Sequence, residues 1–210
     1  MLLLSDPSVA AVPVLECGEE LLDLQLHGGL LIDTRKQDVD GAWSHLRSGV
    51  LERLLVAQAT LPDDMRLLIV ECHRPAALQR HYFESYRSEL TELNPNWPAS
   101  RLDDEASKHV SPVSVAPHPC GAAVDLTLWQ DGVELDMGTR VNATPVASAN
   151  ACFTAARNIS ESALYRRCVL GEALTGAGLI NYPPEWWHWS YGDRYWAAAT
   201  GAAAALYSPV

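Results

Sequence analysis

Apolar positions along the first half of the chain predict alternating strands and helices. Residues 30–33 and 66–71 are short, mostly apolar runs of the kind that form buried strands. Residues 46–59 carry apolar side chains at helical spacing, which predicts a helix that Leu61-Pro62 closes. A second helix is predicted from Pro75, whose missing N–H suits a first turn, to about residue 93, before Asn94-Pro95.

The second half combines a hairpin signal with alanine-rich segments. Asp131-Gly132 between two apolar runs predicts a hairpin. Residues 147–175 predict the longest helix, residues 195–206 a terminal helix, and residues 94–117 a long loop. Pro183-Pro184 prevents a helix from continuing into the next residues, so 185–191 is predicted to be a strand or a tight turn. With no repeat and no linker, this pattern predicts one α+β domain over residues 1–210.

Composition and charge exclude several classes of partner. The formal net charge is −11 and no cluster of Lys or Arg stands out, which argues against binding to nucleic-acid phosphates. The first residues lack the basic region of a secretory signal, and no apolar run is long enough to cross a bilayer. The five cysteines are odd in number and show no paired spacing, so no disulfide framework is expected. We therefore expect a cytoplasmic protein with neither nucleic acid nor membrane as a partner.

Two separate segments carry the residue types of a metal site. His118 and Asp125 stand in one, and Glu185 and His188 in the other. Two imidazoles and a carboxylate are a ligand set of catalytic zinc, which keeps a fourth position for water. Glu185 would then be the uncoordinated carboxylate that takes a proton from that water.

Each of these residues also has a structural explanation. Taken singly, His118 is better explained as a hydrogen-bonded loop histidine and Asp125 as a strand cap, and the tryptophans around His188 as core. The apolar neighbours of Asp125 favour the metal site, since a buried carboxylate is costly unless it is paired or bound to metal. Together the four residues favour a zinc hydrolase.

With these residues in place, the chain resembles the zinc-dependent D-alanyl-D-alanine dipeptidases of the type associated with vancomycin resistance. The similarity runs from about Asp33 to Trp196 and is strongest in residues 118–128, 137–139 and 185–188. These enzymes belong to a group of zinc D,D-peptidases that includes D,D-carboxypeptidases and resembles the hedgehog signalling domain in fold. The resemblance implies a small antiparallel sheet that carries one Zn²⁺ per chain, with flanking helices.

The resemblance also implies roles for individual residues. The zinc ligands would be His118, Asp125 and His188. The general base and acid would be Glu185, and Arg74 would polarise the scissile carbonyl and stabilise the oxyanion. Glu71 would orient that arginine or bind the ammonium group of the substrate.

Three positions depart from the family pattern. His73 stands where the family has an aromatic residue before its Arg-Pro pair, and Ala116 where it often has serine. Asn142 stands where an aspartate helps to hold the ammonium group of a dipeptide. Asn142 still accepts a hydrogen bond but carries no charge. His73 and Asn142 are therefore candidate substrate-binding residues whose change bears on specificity.

The preferred function is hydrolysis of D-Ala-D-Ala to two D-alanines, with a small D-amino-acid dipeptide or short peptide as the partner. The closest alternative is a zinc D,D-carboxypeptidase acting on longer peptidoglycan-derived peptides, which Asn142 keeps open. A catalytically silent zinc- or ligand-binding module is an alternative from another class, and intact Glu185 and Arg74 argue against it. An acidic interaction protein without metal is the remaining alternative. The oligomeric state stays open.

Overall fold

The strands of the chain form one large sheet and one small pair. The computed structural model describes residues 1–210. Its strands are β1 (Leu21–Asp23), β2 (Leu31–Ile32), β3 (His45–Arg47), β4 (Met65–Glu71), β5 (Ala123–Gln130), β6 (Val133–Glu134), β7 (Ile180–Asn181) and β8 (His188–Ser190). The large sheet has the order β2-β4-β5-β8-β7, with β6 paired to β5, and β1 pairs with β3. The strands that carry the candidate site, β4, β5 and β8, pair antiparallel as predicted, and the parallel β2–β4 pair at one edge makes the whole sheet mixed.

Six helices complete the α+β fold that the sequence predicts. They are α1 (Pro7–Ala10), α2 (Ser48–Thr60), α3 (Ala76–Leu93), α4 (Ala99–Ser107), α5 (Glu161–Gly176) and α6 (Arg194–Thr200). None of them combines the length and the hydropathy needed to cross a bilayer.

The predicted elements of residues 30–93 agree with the structure except that residues 46 and 47, predicted as the start of a helix, belong to β3, whereas the second half differs in three places. The predicted loop at 94–117 contains α4. The helix predicted over 147–175 is confirmed only from Glu161, because Ala149 and Asn150 adopt positive φ angles of 49° and 64°, and with 16 residues it is shorter than α3 with 18, so it is not the longest helix. The terminal helix ends at Thr200, where Gly201 at φ 74° turns the chain away.

The main core lies between the large sheet and the helices α2 and α5. The alternation of side chains along β5 places the site on the opposite face of that sheet. Along β5, Leu126 and Leu128 are fully buried in the core. Successive side chains of a strand point to opposite faces, so Asp125 and Thr127 face the other side of the sheet. Both are also buried, at 2% and 0% exposure, which makes that second face an enclosed polar site.

Candidate functional site

Three acidic and basic side chains line up across adjacent strands. Glu71 ends β4, Asp125 lies in β5 and His188 begins β8. Asp125 is the register partner of Glu71 on one side and of His188 on the other. Directly opposed residues of antiparallel strands carry Cβ atoms about 4.5–5.5 Å apart. The strand pairing therefore brings these three side chains to one place, although they are far apart in the sequence.

A short turn brings His118 over the same place. The 3₁₀ turn His118–Cys120 precedes β5, and Gly121 joins the two at φ 64°, a conformation that favours glycine. A Cβ on that glycine would also collide with the side chain of Leu21. The Nδ1 atom of His118 lies 2.5 Å from the carbonyl oxygen of Cys72, where only a protonated nitrogen can donate. The lone pair is therefore left on Nε2.

The three buried side chains of His118, Asp125 and His188 form a set of metal-ligand atoms. Asp125 Oδ1 lies 3.3 Å from His118 Nε2 and 3.0 Å from His188 Nδ1. One ligand atom from each residue lies within 4.8 Å of the others. Burial alone would raise the pKa of the Asp125 carboxyl, but the two imidazoles hold it well below its ordinary value. The carboxylate is therefore charged at neutral pH, as a metal ligand must be.

Glu185 stands beside this set on a tight turn between β7 and β8. Its backbone N–H donates to the carbonyl of Tyr182 (2.9 Å), and the side-chain amide of Asn181 donates to the carbonyls of Glu185 and His188, both at 3.0 Å. Glu185 Oε2 lies 3.8 Å from His188 Nδ1. Desolvation in the cavity raises the pKa of Glu185 to about 7. Such a carboxyl can both accept and release a proton near neutral pH.

Arg74, three residues after the end of β4, is held by hydrogen bonds to two neighbouring side chains. Its Nε and Nη2 donate to the two carboxylate oxygens of Glu71 at 2.7 and 2.6 Å, and Nη1 donates to Gln79 Oε1 at 2.8 Å. The amide of Gln79 in turn donates to the carbonyl of Ser111 at 2.7 Å. Burial alone would raise the pKa of Glu71, but the charge and hydrogen bonds of Arg74 lower it. Three of the five N–H groups of the guanidinium are used, so two remain for a ligand.

These side chains open on one cavity of about 240 Å³. Six sequence-predicted site residues line it: Arg74, His118, Asp125, Asn142, Glu185 and His188. Glu71 lies behind Arg74 and does not line the cavity, which agrees with a role in orienting the arginine. His73 does not line it either, and its backbone N–H donates to the carbonyl of His45. A direct contact between His73 and a ligand in this cavity is therefore not supported.

The remaining walls come from residues that sequence reasoning missed. Lys36, Tyr82, Tyr86 and His109 line the cavity, and Asn181 fixes the turn of Glu185. Tyr82 and Tyr86 stand four residues apart on α3. This spacing places them on one helix face and is a signal that the sequence alone carries. No motif marks Lys36.

Comparisons with known proteins point to one family. A family model described as D-ala-D-ala dipeptidase matches residues 34–202. A D-alanyl-D-alanine dipeptidase of Synechocystis sp. (strain ATCC 27184 / PCC 6803 / Kazusa) is 28% identical over 217 residues, covering 89% of this chain and 87% of that protein.

Two solved structures match most of this chain. The LdcB LD-carboxypeptidase matches with a TM-score of 0.51 at 14% identity, covering 89% of this chain and 73% of its own. The vancomycin resistance D,D-pentapeptidase VanY, solved in complex with Zn(II), matches with a TM-score of 0.48 at 16% identity over 95% of each chain. At these identities, the LdcB match supports the fold alone.

Proposed function

This chain belongs to the D-Ala-D-Ala dipeptidase family and is therefore a peptidase, and we propose that it hydrolyses D-Ala-D-Ala to two D-alanines with one zinc ion as cofactor. The observation that carries the proposal is the convergence of His118, Asp125 and His188 with Glu185 and Arg74 on one cavity. At about 240 Å³ the cavity is small. Pockets for drug-sized ligands measure about 300–1,000 Å³, so a substrate of very few residues is favoured.

The residues present fit a zinc ion. His118 Nε2 is buried and has no hydrogen-bond partner, although the Cys72 carbonyl fixes the ring so that this nitrogen carries the lone pair. Metal-bound histidines commonly donate their other ring nitrogen to such a carbonyl. Two nitrogen donors and one carboxylate are a ligand set of catalytic zinc. Held by these three residues, zinc would supply Lewis acidity that lowers the pKa of water and polarises a carbonyl.

Glu185 would move the proton. Its carboxylate faces the ligand set but lies 3.8 Å from the nearest ligand nitrogen, so it remains available to a water molecule or a substrate. In the ionised form it takes a proton from the attacking water, and it then gives that proton to the nitrogen of the leaving D-alanine. A pKa of about 7 lets the same group perform both transfers at neutral pH.

Arg74 would stabilise the oxygen of the scissile carbonyl as negative charge develops on it. Glu71 and Gln79 fix the guanidinium before the substrate binds, and its two unused N–H groups are available to the cavity. A donor held in advance in this way contributes about 2.7–4 kcal/mol to transition-state stabilisation.

The test is the release of free D-alanine from D-Ala-D-Ala by zinc-loaded protein, beside the Glu185→Ala variant. We expect release by the wild type only, with about one zinc still bound per chain in both proteins, because Glu185 is not a ligand. Glu92→Ala, at an exposed position of α3, is the matched control and should behave as the wild type. Turnover retained by Glu185→Ala would overturn the proposed mechanism. An unchanged zinc content in His118→Ala would remove that residue from the ligand set.

Asn142 favours a second candidate, a D,D-carboxypeptidase that acts on longer peptides. It lines the cavity without a charge, so an ammonium group there gains less than it would from an aspartate. Hydrolysis of an N-acylated peptide ending in D-Ala-D-Ala, with no hydrolysis of the dipeptide, would favour this candidate. Zinc binding without hydrolysis of either peptide would favour a catalytically silent module.

A further inference from the structure

Lys36 is a second cation on the cavity wall, beside Arg74. It follows β2 in the sequence, and its side chain is 27% exposed. Its Nζ atom lies 3.8 Å from Glu71 Oε2 and 5.2 Å from the centroid of the Tyr82 ring. Lys36 and Arg74 are the only lysine or arginine residues that line the cavity.

The contact between Lys36 and Glu71 does not account for the position of this lysine. A distance of 3.8 Å is too long for a hydrogen bond. Glu71 already accepts two hydrogen bonds of 2.7 and 2.6 Å from Arg74, and one carboxylate charge faces two cations. Three of the five N–H groups of Arg74 are therefore used by its neighbours and the other two are assigned to the scissile carbonyl, whereas the Lys36 ammonium makes no hydrogen bond to Glu71 and keeps its donors for an anionic group in the cavity.

We propose that Lys36 binds the C-terminal carboxylate of the peptide substrate. The inference rests on the proposed function and extends it. Lys36 and Arg74 both contact Glu71 Oε2, so they are close neighbours on one wall. In the proposed mechanism Arg74 binds the oxygen of the scissile carbonyl. A substrate that is cut at its last peptide bond has its C-terminal carboxylate one residue beyond that carbonyl. Among the lysine and arginine side chains of the cavity wall, the ammonium of Lys36 is the one left to bind that carboxylate.

Within the substrate class of the proposed function, this assignment makes a free C-terminal carboxylate a requirement for tight binding. The peptide must end one residue after the scissile bond and must have a free carboxylate, in a dipeptide and in a longer peptide alike. An amidated or extended C-terminus would lose the ion pair and leave Lys36 without its partner.

The test measures binding by calorimetry in zinc-loaded protein that carries Glu185→Ala to prevent turnover. D-Ala-D-Ala is compared with D-Ala-D-alaninamide, which lacks the carboxylate charge. Adding Lys36→Gln should weaken binding of the dipeptide by about 10- to 100-fold, the effect of losing one hydrogen bond between charged groups. Binding of the amide should change by less than about twofold, since it has no such bond to lose. Lys36→Arg should retain most of the preference for the dipeptide, because it keeps the charge.

Lys108→Gln is the matched control. Lys108 is the other lysine of this chain, and it pairs with Glu105 at 2.8 Å outside the cavity. It should leave the binding of both ligands unchanged. If Lys36 acted only through the structure, by positioning Glu71 and Arg74, then Lys36→Gln would weaken the binding of the dipeptide and of the amide equally. That outcome, or no effect on either ligand, would overturn the assignment.

Turnover separates this inference from the proposed function. In protein with Glu185 intact, Lys36→Gln should raise KM for D-Ala-D-Ala and leave kcat nearly unchanged. If the wild type releases no D-alanine but Lys36→Gln still weakens only the dipeptide, the proposed function fails and the role of Lys36 stands. If the dipeptide does not bind to the Glu185→Ala protein, the role of Lys36 falls.

Discussion

The buried pair of Glu71 and Arg74 can be tested through stability and turnover together. Glu71→Gln should lower the free energy of unfolding by about 3–5 kcal/mol, because it leaves a buried guanidinium without its carboxylate. The two residues are only 3% and 9% exposed, and they share hydrogen bonds of 2.7 and 2.6 Å. Glutamine keeps the shape but turns an NH₂ group toward one of the arginine donors. Asp125 Oδ2, at 4.0 Å from Arg74 Nη2, is too distant to replace the lost bond.

The same change should also slow turnover. With only Gln79 to hold it, Arg74 loses the orientation of its free donors, and kcat should fall by up to about 10²–10³-fold, the effect of removing one oxyanion donor. Urea unfolding followed by circular dichroism gives the stability, D-alanine release gives kcat, and elemental analysis gives the zinc content. Zinc content should not change, because neither residue is a proposed ligand.

Glu105→Gln is the control, because it makes the same chemical change in a partly exposed ion pair. The side chain of Glu105 is 33% exposed and that of its partner Lys108 is 39% exposed. Glu105→Gln should lower the free energy of unfolding by no more than about 1 kcal/mol. An unfolding free energy of Glu71→Gln within 1 kcal/mol of the wild type, with unchanged kcat, would refute the reasoning about the buried pair. Lost stability with unchanged kcat would show instead that Gln79 alone orients Arg74.

Three further changes test the specificity and the framework of the site. Asn142→Asp should lower KM for D-Ala-D-Ala, by placing a charge opposite the ammonium group, but not for an N-acylated peptide; an equal change in both would contradict that placement. Ser160→Ala removes the hydroxyl that accepts from Ala163 N–H at the start of α5 and should cost about 1 kcal/mol in urea unfolding, without changing kcat. Leu126→Ala leaves a cavity at a fully buried position and should lower the free energy of unfolding by about 2–5 kcal/mol. Val133→Ala at a 58% exposed position should cost far less, and similar values for the two would contradict the placement of the core.

Local sequence patterns predict well where burial follows a simple period. Residues 66–71 read as a strand because one apolar side chain after another is buried, and β4 spans Met65–Glu71. The helix before it shows the same agreement between helical spacing and α2. In both segments the contacts that stabilise the element lie where the period places them, so no distant residue has to be known.

The first part of the helix predicted over 147–175 does not form, because a side chain of α5 bonds to its backbone carbonyls instead. Arg167 is buried without a carboxylate partner and donates to the carbonyls of Met137, Ala151 and Phe153 at 2.7–2.8 Å. Those carbonyls are satisfied by tertiary contacts, and the segment before α5 remains in turns despite its alanines. Helix propensity is a weak preference that such contacts override.

The site divides in the same way between residues that local chemistry reveals and residues that only the fold brings together. His118, Asp125, Glu185 and His188 carry donor atoms whose types and spacing point to a metal, and they lie together because Asp125 and His188 pair across two strands. Lys36 has no such signature, since a lysine in a loop is ordinarily solvated. Its position beside Glu71 depends on the parallel pairing of β2 with β4, which no local pattern specifies. Donor types can therefore indicate the reaction class, whereas the residues that we propose for the two ends of the peptide, Lys36 and Asn142, are known only as residues of the cavity wall. If both proposals hold, substrate length can change within the family through substitutions at Lys36 and Asn142 while the metal motif stays intact.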